Sequence, residues 1–275
     1  MSLNLDVIID TPEQSVDMKA GLDTLQGTSD AIRTIGETVL SEKIPERLSH
    51  KGKVRTTLKK SFKGSYGHTF SLDIHDEELK RKFNSIGKTV FSELISYFIS
   101  ESLYKESEQL SAKAQKIVDN LGDTIEGLVK QLRKSPLNNI HEVSTKFNYD
   151  VKLRFRKSAS EQVVISHFDK HTAEVLQAKE DKQKIDIIAS ITRLNINTGN
   201  GRLLLKDADE TVAFGFGVGY RDVNMEAKKL FSENLNYNNG MSSEKWKFLK
   251  ISVSPIKLMD GRVIKYIVKG FYNDQ

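Results

Sequence analysis

The run Thr211-Val-Ala-Phe-Gly-Phe-Gly-Val-Gly219 constrains the fold more than any other stretch of the chain. Successive side chains of a strand point to opposite sides, so Val212, Phe214, Phe216 and Val218 share one face and Ala213, Gly215, Gly217 and Gly219 the other. One face is bulky and the other nearly bare. Glycine weakens a strand, so its repeated use implies a sharp barrel bend or a surface that another backbone or a ligand approaches closely. The bend is the preferred reading. The glycines are not a dinucleotide fingerprint, which sits between a strand and a helix with different spacing.

The neighbouring segments extend this strand into a small domain. Lys184 to Ile196 is β-branched and alternating, but its apolar phase slips between Ile191 and Leu194, which predicts a bulge near Thr192 or Arg193. Thr198-Gly-Asn-Gly201 has hairpin-turn chemistry and leads into a return strand, Arg202 to Lys206. Asp222 is expected to cap a helix from Val223 to about Asn236, ended by Asn238-Asn-Gly240. Two further strands follow, Lys247 to Val253 and Val263 to Phe271. The order β-β-β-α-β-β in about ninety residues, with a bulged first strand, matches the five-stranded Greek-key barrel called the OB-fold. An SH3-like barrel is the rival, and it usually lacks such a helix.

The first part of the chain is mixed. Leu3, Leu5, Val7 and Ile9 alternate as a strand, and a helix from about Ser15 to Leu40 carries Met18, Leu22, Leu25, Ile32, Ile35 and Val39 at helical spacing. Gly27 and Gly36 weaken that helix. A hairpin is expected across Gly64-Ser-Tyr-Gly67, between Val54–Phe62 and His68–Ile74. Two long helices should then pair as a helical hairpin. One opens at Asp76-Glu-Glu and carries Val90 to Ile99; the other runs from Leu110 to Leu132 and stops at Ser135-Pro136. Its apolar stripe is expected to pack within the domain, with a dimer seam as the alternative. A short helix, Leu137 to Thr145, a basic strand, a strand from Glu161 to Ile165 and a helix capped at Asp169 complete the domain. Lys179-Glu-Asp-Lys-Gln-Lys184 is charged and reads as a linker. The chain is therefore expected to be α+β, with a mixed domain at 1–180 and an OB-like barrel at 181–275.

Charge supplies the candidate sites. Lys43, Arg47, Lys51, Lys53, Arg55, Lys59, Lys60 and Lys63 stand against only Glu42 and Glu46, a local excess above the whole chain's net +5. A basic run is commonly a solvated face; the functional reading is a surface that neutralises phosphates regardless of sequence. Lys152-Leu-Arg-Phe-Arg-Lys157 interleaves cations with apolar residues, as a strand with one basic face would. On the barrel, Phe248 and Lys250 should point outward, with Lys265 and Lys269 on the last strand. Rings among cations are what a single-strand-binding barrel needs. The candidate phosphate contacts are thus Lys51, Lys53, Arg55, Lys59, Lys60, Lys152, Arg154 and Arg156, joined by Phe248 and Lys250 on the barrel.

Enzymatic signatures are missing. No P-loop, nucleophile elbow or kinase motif is present, and with no cysteine there is no thiol catalysis, disulfide or thiolate metal site. His167 and His171, four apart, would share one face of a helix and could take a divalent metal, but the glutamate of the helical zinc-protease motif is missing. No cofactor is expected. The N-terminus lacks a secretory pattern and no run reaches membrane-spanning length, which reads as cytoplasmic with no membrane contact.

Leu-Asn-Leu-Asp-Val at the start and Ala189-Ser-Ile-Thr-Arg-Leu-Asn-Ile-Asn-Thr-Gly-Asn-Gly-Arg202 at the barrel's opening resemble a bacterial family that pairs an α+β domain with a small β-barrel. That family has no assigned activity and offers no catalytic residues. The resemblance implies the architecture and a bacterial cytoplasmic setting, and by association an accessory part of a mobile-element or antiviral defence system. The expected role is a non-catalytic binding component for DNA or RNA. The alternative is a protein-interaction or scaffold subunit holding a partner or a second copy.

Overall fold

The computed structural model describes residues 2–62 and 65–272, so Lys63 and Gly64 of the expected basic segment and turn lie outside the described residues. The chain divides into two compact units, Met1–Leu176 and Gln177–Gln275.

The first unit contains β1 (Ser2–Ile9), α1 (Met18–Ser41), β2 (Val54–Phe62), β3 (Tyr66–Ile74), α2 (Glu77–Ile86), α3 (Lys88–Ser102), α4 (Ala112–Leu121), α5 (Thr124–Lys134), α6 (Pro136–Ile140), α7 (Glu142–Phe147), β4 (Val151–Arg156), β5 (Gln162–Phe168) and α8 (Lys170–Gln177). Its strands form an antiparallel sheet in the order β2-β3-β1-β4-β5. Leu3, Leu5, Val7 and Ile9 of β1, with Phe70 and Leu72 of β3 and Val151, Leu153 and Phe155 of β4, turn one face into the core shared with the helices. The second apolar stripe packs within the domain, as expected, which leaves no seam for a second copy there: Ala114, Val118, Leu121, Ile125, Leu128 and Leu132 are all buried.

Four helical expectations need correction. The helix opened at Asp76 breaks at Gly87, whose φ of 87° is left-handed, and the second long helix breaks at Gly122 (φ 47°). The expected short helix becomes α6 and α7, interrupted at His141. The predicted stripe of α1 holds in its second half, where Ile32, Ile35 and Val39 are buried and Leu25 packs against the core, but not in its first. Met18 and Leu22 are 78% and 54% exposed, whereas Ala20, Gly21, Thr24, Gly27, Thr28 and Ala31 are buried. The reason is close approach: a Cβ on Gly27 would stand 2.6 Å from the backbone nitrogen of Ile140 and from the carbonyl oxygen of Pro136. Small residues let α6 lie against the α1 backbone, and Thr24 Oγ1 donates across to Ile140 O at 3.3 Å.

The second unit holds β6 (Lys179–Glu180), β7 (Ile185–Leu194), β8 (Gly201–Leu205), β9 (Thr211–Phe216), α9 (Met225–Asn238), β10 (Leu249–Lys257) and β11 (Val263–Phe271). Strand neighbours run β11-β9-β8-β7-β10, and β10 pairs with β11, so the five strands close into a barrel that fits the OB type. The pairing of β9 with β11 is the parallel one. The bulge falls between Ile191 and Arg193, as the phase slip predicts. Beside it, the Ile191 N–H donates to Asn234 Oδ1 at 2.8 Å. Asn234 and Asn238 both donate to Lys247 O at 2.9 Å, so buried amides fasten α9 to the strands. The helix cap is Asn224, not Asp222, which lies in a 3-10 turn. The expected linker begins as strand β6, paired with Ile256 and Lys257 of β10. Among the described residues no helix is long and apolar enough to cross a membrane.

Gly27→Ala would gain about 1 kcal/mol from helix propensity at an open site. Here it should destabilise the protein in urea unfolding, because neither backbone atom facing the new methyl can yield. A second prediction concerns His141, buried with Nδ1 donating to Leu137 O at 2.6 Å and Nε2 2.8 Å from Thr172 Oγ1. Burial pushes its pKa from 6.5 down to about 4. The unfolded chain therefore binds a proton that the folded one refuses, and stability is full above pH 6.5 and falls toward pH 4. The loss is of order 3 kcal/mol; it should be absent from the pH–stability curve of His141→Gln and so appear in full in the difference between parent and variant.

Candidate functional site

The face of the first sheet turned away from the helices is a grid of polar side chains. In one cross-strand row Lys60, Thr69, Asp6, Arg154 and Val164 stand side by side, and in the next Phe62, Gly67, Ile8, Lys152 and His167. Asp6 is fully buried at its centre. Its Oδ1 accepts from Arg156 Nε at 2.6 Å and from Thr69 Oγ1 at 2.8 Å, and its Oδ2 accepts from Arg154 Nη2 at 3.0 Å. Lys152 Nζ lies 2.5 Å from Asp10 Oδ2. The basic strand is thus real, with Val151, Leu153 and Phe155 inward, but its three outward cations are each tied to a carboxylate of the β1 segment.

The other basic segment is more open. Lys53 is paired with Asp76 at 2.9 Å; the Leu79 N–H first, and this lysine second, hold the Asp76 carboxyl below its usual range. Arg55 donates to His50 O at 3.3 Å and stands opposite Asp73. Lys51, Lys59 and Lys60 are exposed, without a carboxylate partner among the described residues, and a bulge between Leu58 and Lys60 displaces Lys59.

The barrel carries a different constellation. Phe214, Tyr266 and Val268 fill the interior, so Ala213, Gly215, Lys265 and Ile267 point outward from β9 and β11. Arg202 of β8 stands beside Ala213 in the same row. Its Nε and Nη2 donate to Thr211 Oγ1 and Thr211 O, both at 2.7 Å, which fixes the guanidinium along the strand. Lys265 and Lys269 reach over the bare strand. A Cβ on Gly215 would lie 3.3 Å from Lys265 Nζ, and one on Gly217 would lie 3.0 Å from Lys269 Nζ. Lys265 also donates to Asn200 Oδ1 at 3.3 Å in the β7–β8 loop, and Lys269 is paired with Glu180 at 2.9 Å. Two lysines and an arginine therefore line a strip floored by Ala213, Gly215 and Gly217. The strip is bounded by loops that expose Ile196 and Met259.

Phe248 and Lys250 do not join this strip. Phe248 precedes β10 and is half-buried. Lys250 packs over the Tyr272 ring at 4.7 Å, and both approach Asp186, Lys250 at 3.7 Å and the Tyr272 hydroxyl at 2.9 Å. His167 and His171 do not share a helix. His167 belongs to β5, 2.9 Å from Asp150 Oδ2, and His171 belongs to α8. Asp169 caps α8 by accepting from Thr172 N at 2.7 Å. The described residues hold no group of three or more His, Asp or Glu side chains placed to take a metal ion. Sequence reasoning placed Lys265 and Lys269 outward but missed Arg202 and Asn200. The one signal for them is the hairpin register, which puts Arg202 on the face of Ala213.

Comparison with protein-family models, with curated proteins and with solved structures finds no match to this chain.

Removing Arg154 and Arg156 together, as R154A/R156A, strands the buried Asp6 carboxylate and should cost about 3–5 kcal/mol of unfolding free energy. Asp6→Asn should cost less, since both guanidinium groups reach solvent. The charge reversals K59E/K60E should change stability by less than about 0.5 kcal/mol, because exposed sites without structural partners tolerate substitution.

Proposed function

We propose that the protein is a non-catalytic binding component that holds the phosphate backbone of DNA or RNA on the outer strip of β8, β9 and β11. The observation that carries this reading is the placement of Lys265, Lys269 and Arg202 around a strand whose outward residues are alanine and glycine. A bare floor lets a chain lie close to the strand, and fixed cations at its margin meet phosphates at their natural distance. In OB barrels the second and third strands, with the loops joining strands one to two and four to five, bind oligonucleotides and oligosaccharides. Here those loops present Ile196 and Met259, apolar groups suited to covering bases or sugars. The charge on the strip favours the polyanion over a neutral sugar chain.

The exposed Lys51, Lys59 and Lys60 belong to this reading as additional phosphate contacts, in the first unit. Lys152, Arg154 and Arg156 belong to it only through guanidinium and ammonium donors not engaged by Asp6 and Asp10. The cytoplasmic setting rests on the sequence reading of the N-terminus together with the family resemblance, and the accessory role in a defence or mobile-element system on the family resemblance alone.

Fluorescence anisotropy of labelled single- and double-stranded DNA and RNA, titrated with the full chain at about 50 and about 200 mM salt, tests the reading. Binding should weaken steeply with salt and be lost in K265E/K269E. Gly215→Ala should also weaken it, because the new Cβ would stand 2.8 Å from Asn200 Oδ1 and 3.3 Å from Lys265 Nζ and must displace both flexible ends. Glu180→Gln should tighten it, since Glu180 competes for Lys269. No binding at low salt, or binding indifferent to these substitutions, would sink the reading.

A further inference from the structure

Strand β2 forms one edge of the first sheet, and it is the open edge. On the opposite edge Ser96 and Lys105 donate to carbonyls of β5. On β2 the consecutive residues Thr57 to Ser61 are exposed, and among the described residues no strand or loop adds backbone hydrogen bonds on their outer side. An edge in this state presents a row of unpaired N–H and C=O groups.

Beside the edge lies apolar surface that the fold leaves uncovered. Leu58 belongs to the cross-strand row Leu58-Phe70-Leu5-Phe155 on the helix-facing side of the sheet. The other three are buried, yet Leu58 is 60% exposed. Helix α1 follows β2 with Gly36 against Val54 and with Ser29 Oγ 2.5 Å from Thr56 Oγ1, so moving toward the start of the helix is moving toward the end of the strand. The helical face that carries Gly36 and Ser29 continues through Leu25, Leu22 and Met18, at steps of three and four residues. Leu25 packs on the core, whereas Leu22 and Met18 are exposed and carry the stripe past Thr56 in the direction of Leu58. The first half of the expected stripe is thus an apolar margin along an open strand.

Charge selects the occupant. Lys59 and Lys60 follow Leu58, exposed and without a carboxylate partner among the described residues. Lys60 stands in the row of Thr69 and Asp6 on the sheet's outer face, and Lys59 occupies the bulge. A second copy pairing its own β2 here would gather four lysines on one short edge, and like charges across strands destabilise pairing. A phosphate chain would satisfy the lysines but leave the backbone row, Leu58 and Leu22 unused. A strand with acidic groups on one face and apolar groups on the other uses all of them.

We propose that β2 is a docking edge for an extended peptide of a partner protein, in which apolar and acidic side chains alternate. The peptide backbone adds a strand to the sheet, its apolar side chains turn toward Leu58 and Leu22, and its acidic ones meet Lys60 and Lys59. The site goes beyond the barrel strip and gives Lys59 and Lys60 a second ligand.

Fluorescence anisotropy of the full chain with a short labelled peptide alternating valine and glutamate tests this. The control peptides carry lysine for glutamate, glutamate throughout, or proline at alternate positions, which cannot pair along a strand. The valine–glutamate peptide should bind saturably and well above all three controls, and it should slow amide hydrogen exchange at Thr57 to Ser61. Leu58→Ser and Leu22→Ser, both at exposed positions, should leave the melting temperature nearly unchanged and each weaken the peptide about tenfold, the scale of burying one leucine side chain. K59E/K60E should lose this peptide and gain the valine–lysine one. K265E/K269E should leave peptide binding unchanged, so failure here and failure of the barrel reading are distinguishable. No binding, equal binding of the all-glutamate or proline peptide, or indifference to Leu58→Ser would overturn the proposal. So would a concentration-dependent dimer that Leu58→Ser dissolves, which puts a second copy on the edge, or an oligonucleotide that displaces the peptide and binds Leu58→Ser as tightly as the parent, which puts nucleic acid there.

Discussion

Strand β9 must satisfy two neighbours at once, β8 antiparallel on one side and β11 parallel on the other, and the barrel closes only because it does. Phe214 fills the inside of that closure, packed against Phe231 of α9 with ring centres 5.4 Å apart. On the outside the same strand carries Ala213 and Gly215, and the space above them is taken by the stems and ends of Lys265 and Lys269. One requirement of the fold, a strand bulky inward and bare outward, thereby produces a surface of the barrel where cations gather over a strand without large side chains. Strand bending and ligand approach, which look like competing explanations in the sequence, are two consequences of the same residues.

The first unit handles charge differently. Its sheet buries Asp6 among polar neighbours, and two arginines hold it there. A buried carboxylate held in this way is weak evidence for stability, since an apolar replacement often does as well, but removing one partner alone is costly. The arrangement fixes the guanidinium groups beside Phe62 and leaves several N–H donors turned away from Asp6. At the edge of the sheet, Ser96 Oγ and Lys105 Nζ donate to the carbonyls of Ile165 and His167 on β5, which blunts that strand against pairing with another chain.

What the sequence shows and what it conceals follow from range. The bulge beside Thr192, the five barrel strands and the first strand of the chain are legible because a period of two is a local signal and a slip in it is visible within ten residues. The packing face of α1 is legible in its second half, at Ile32, Ile35 and Val39, but not in its first, because Ala, Gly and Thr carry little apolar signal, and only the backbone of α6, more than a hundred residues on, makes them the right choice. The breaks at Gly87 and Gly122 depend on left-handed φ values that a glycine permits but does not announce. Arg154 and Arg156 read as free phosphate contacts because their partner Asp6 lies about 150 residues earlier and looks like the polar half of an alternating strand. Long-range pairing decides which charges remain available, and no local pattern reports it.

The claim on which the account rests is that a phosphate chain lies along the bare outer face of β9. Photo-crosslinking of the full chain to a single strand carrying 5-iodouracil, followed by mass spectrometry of the adducts, tests it most directly. The account predicts adducts within residues 196–217 and 259–269. Adducts confined to the Phe248 and Tyr272 side of the barrel, or to other surfaces of the chain, would contradict it.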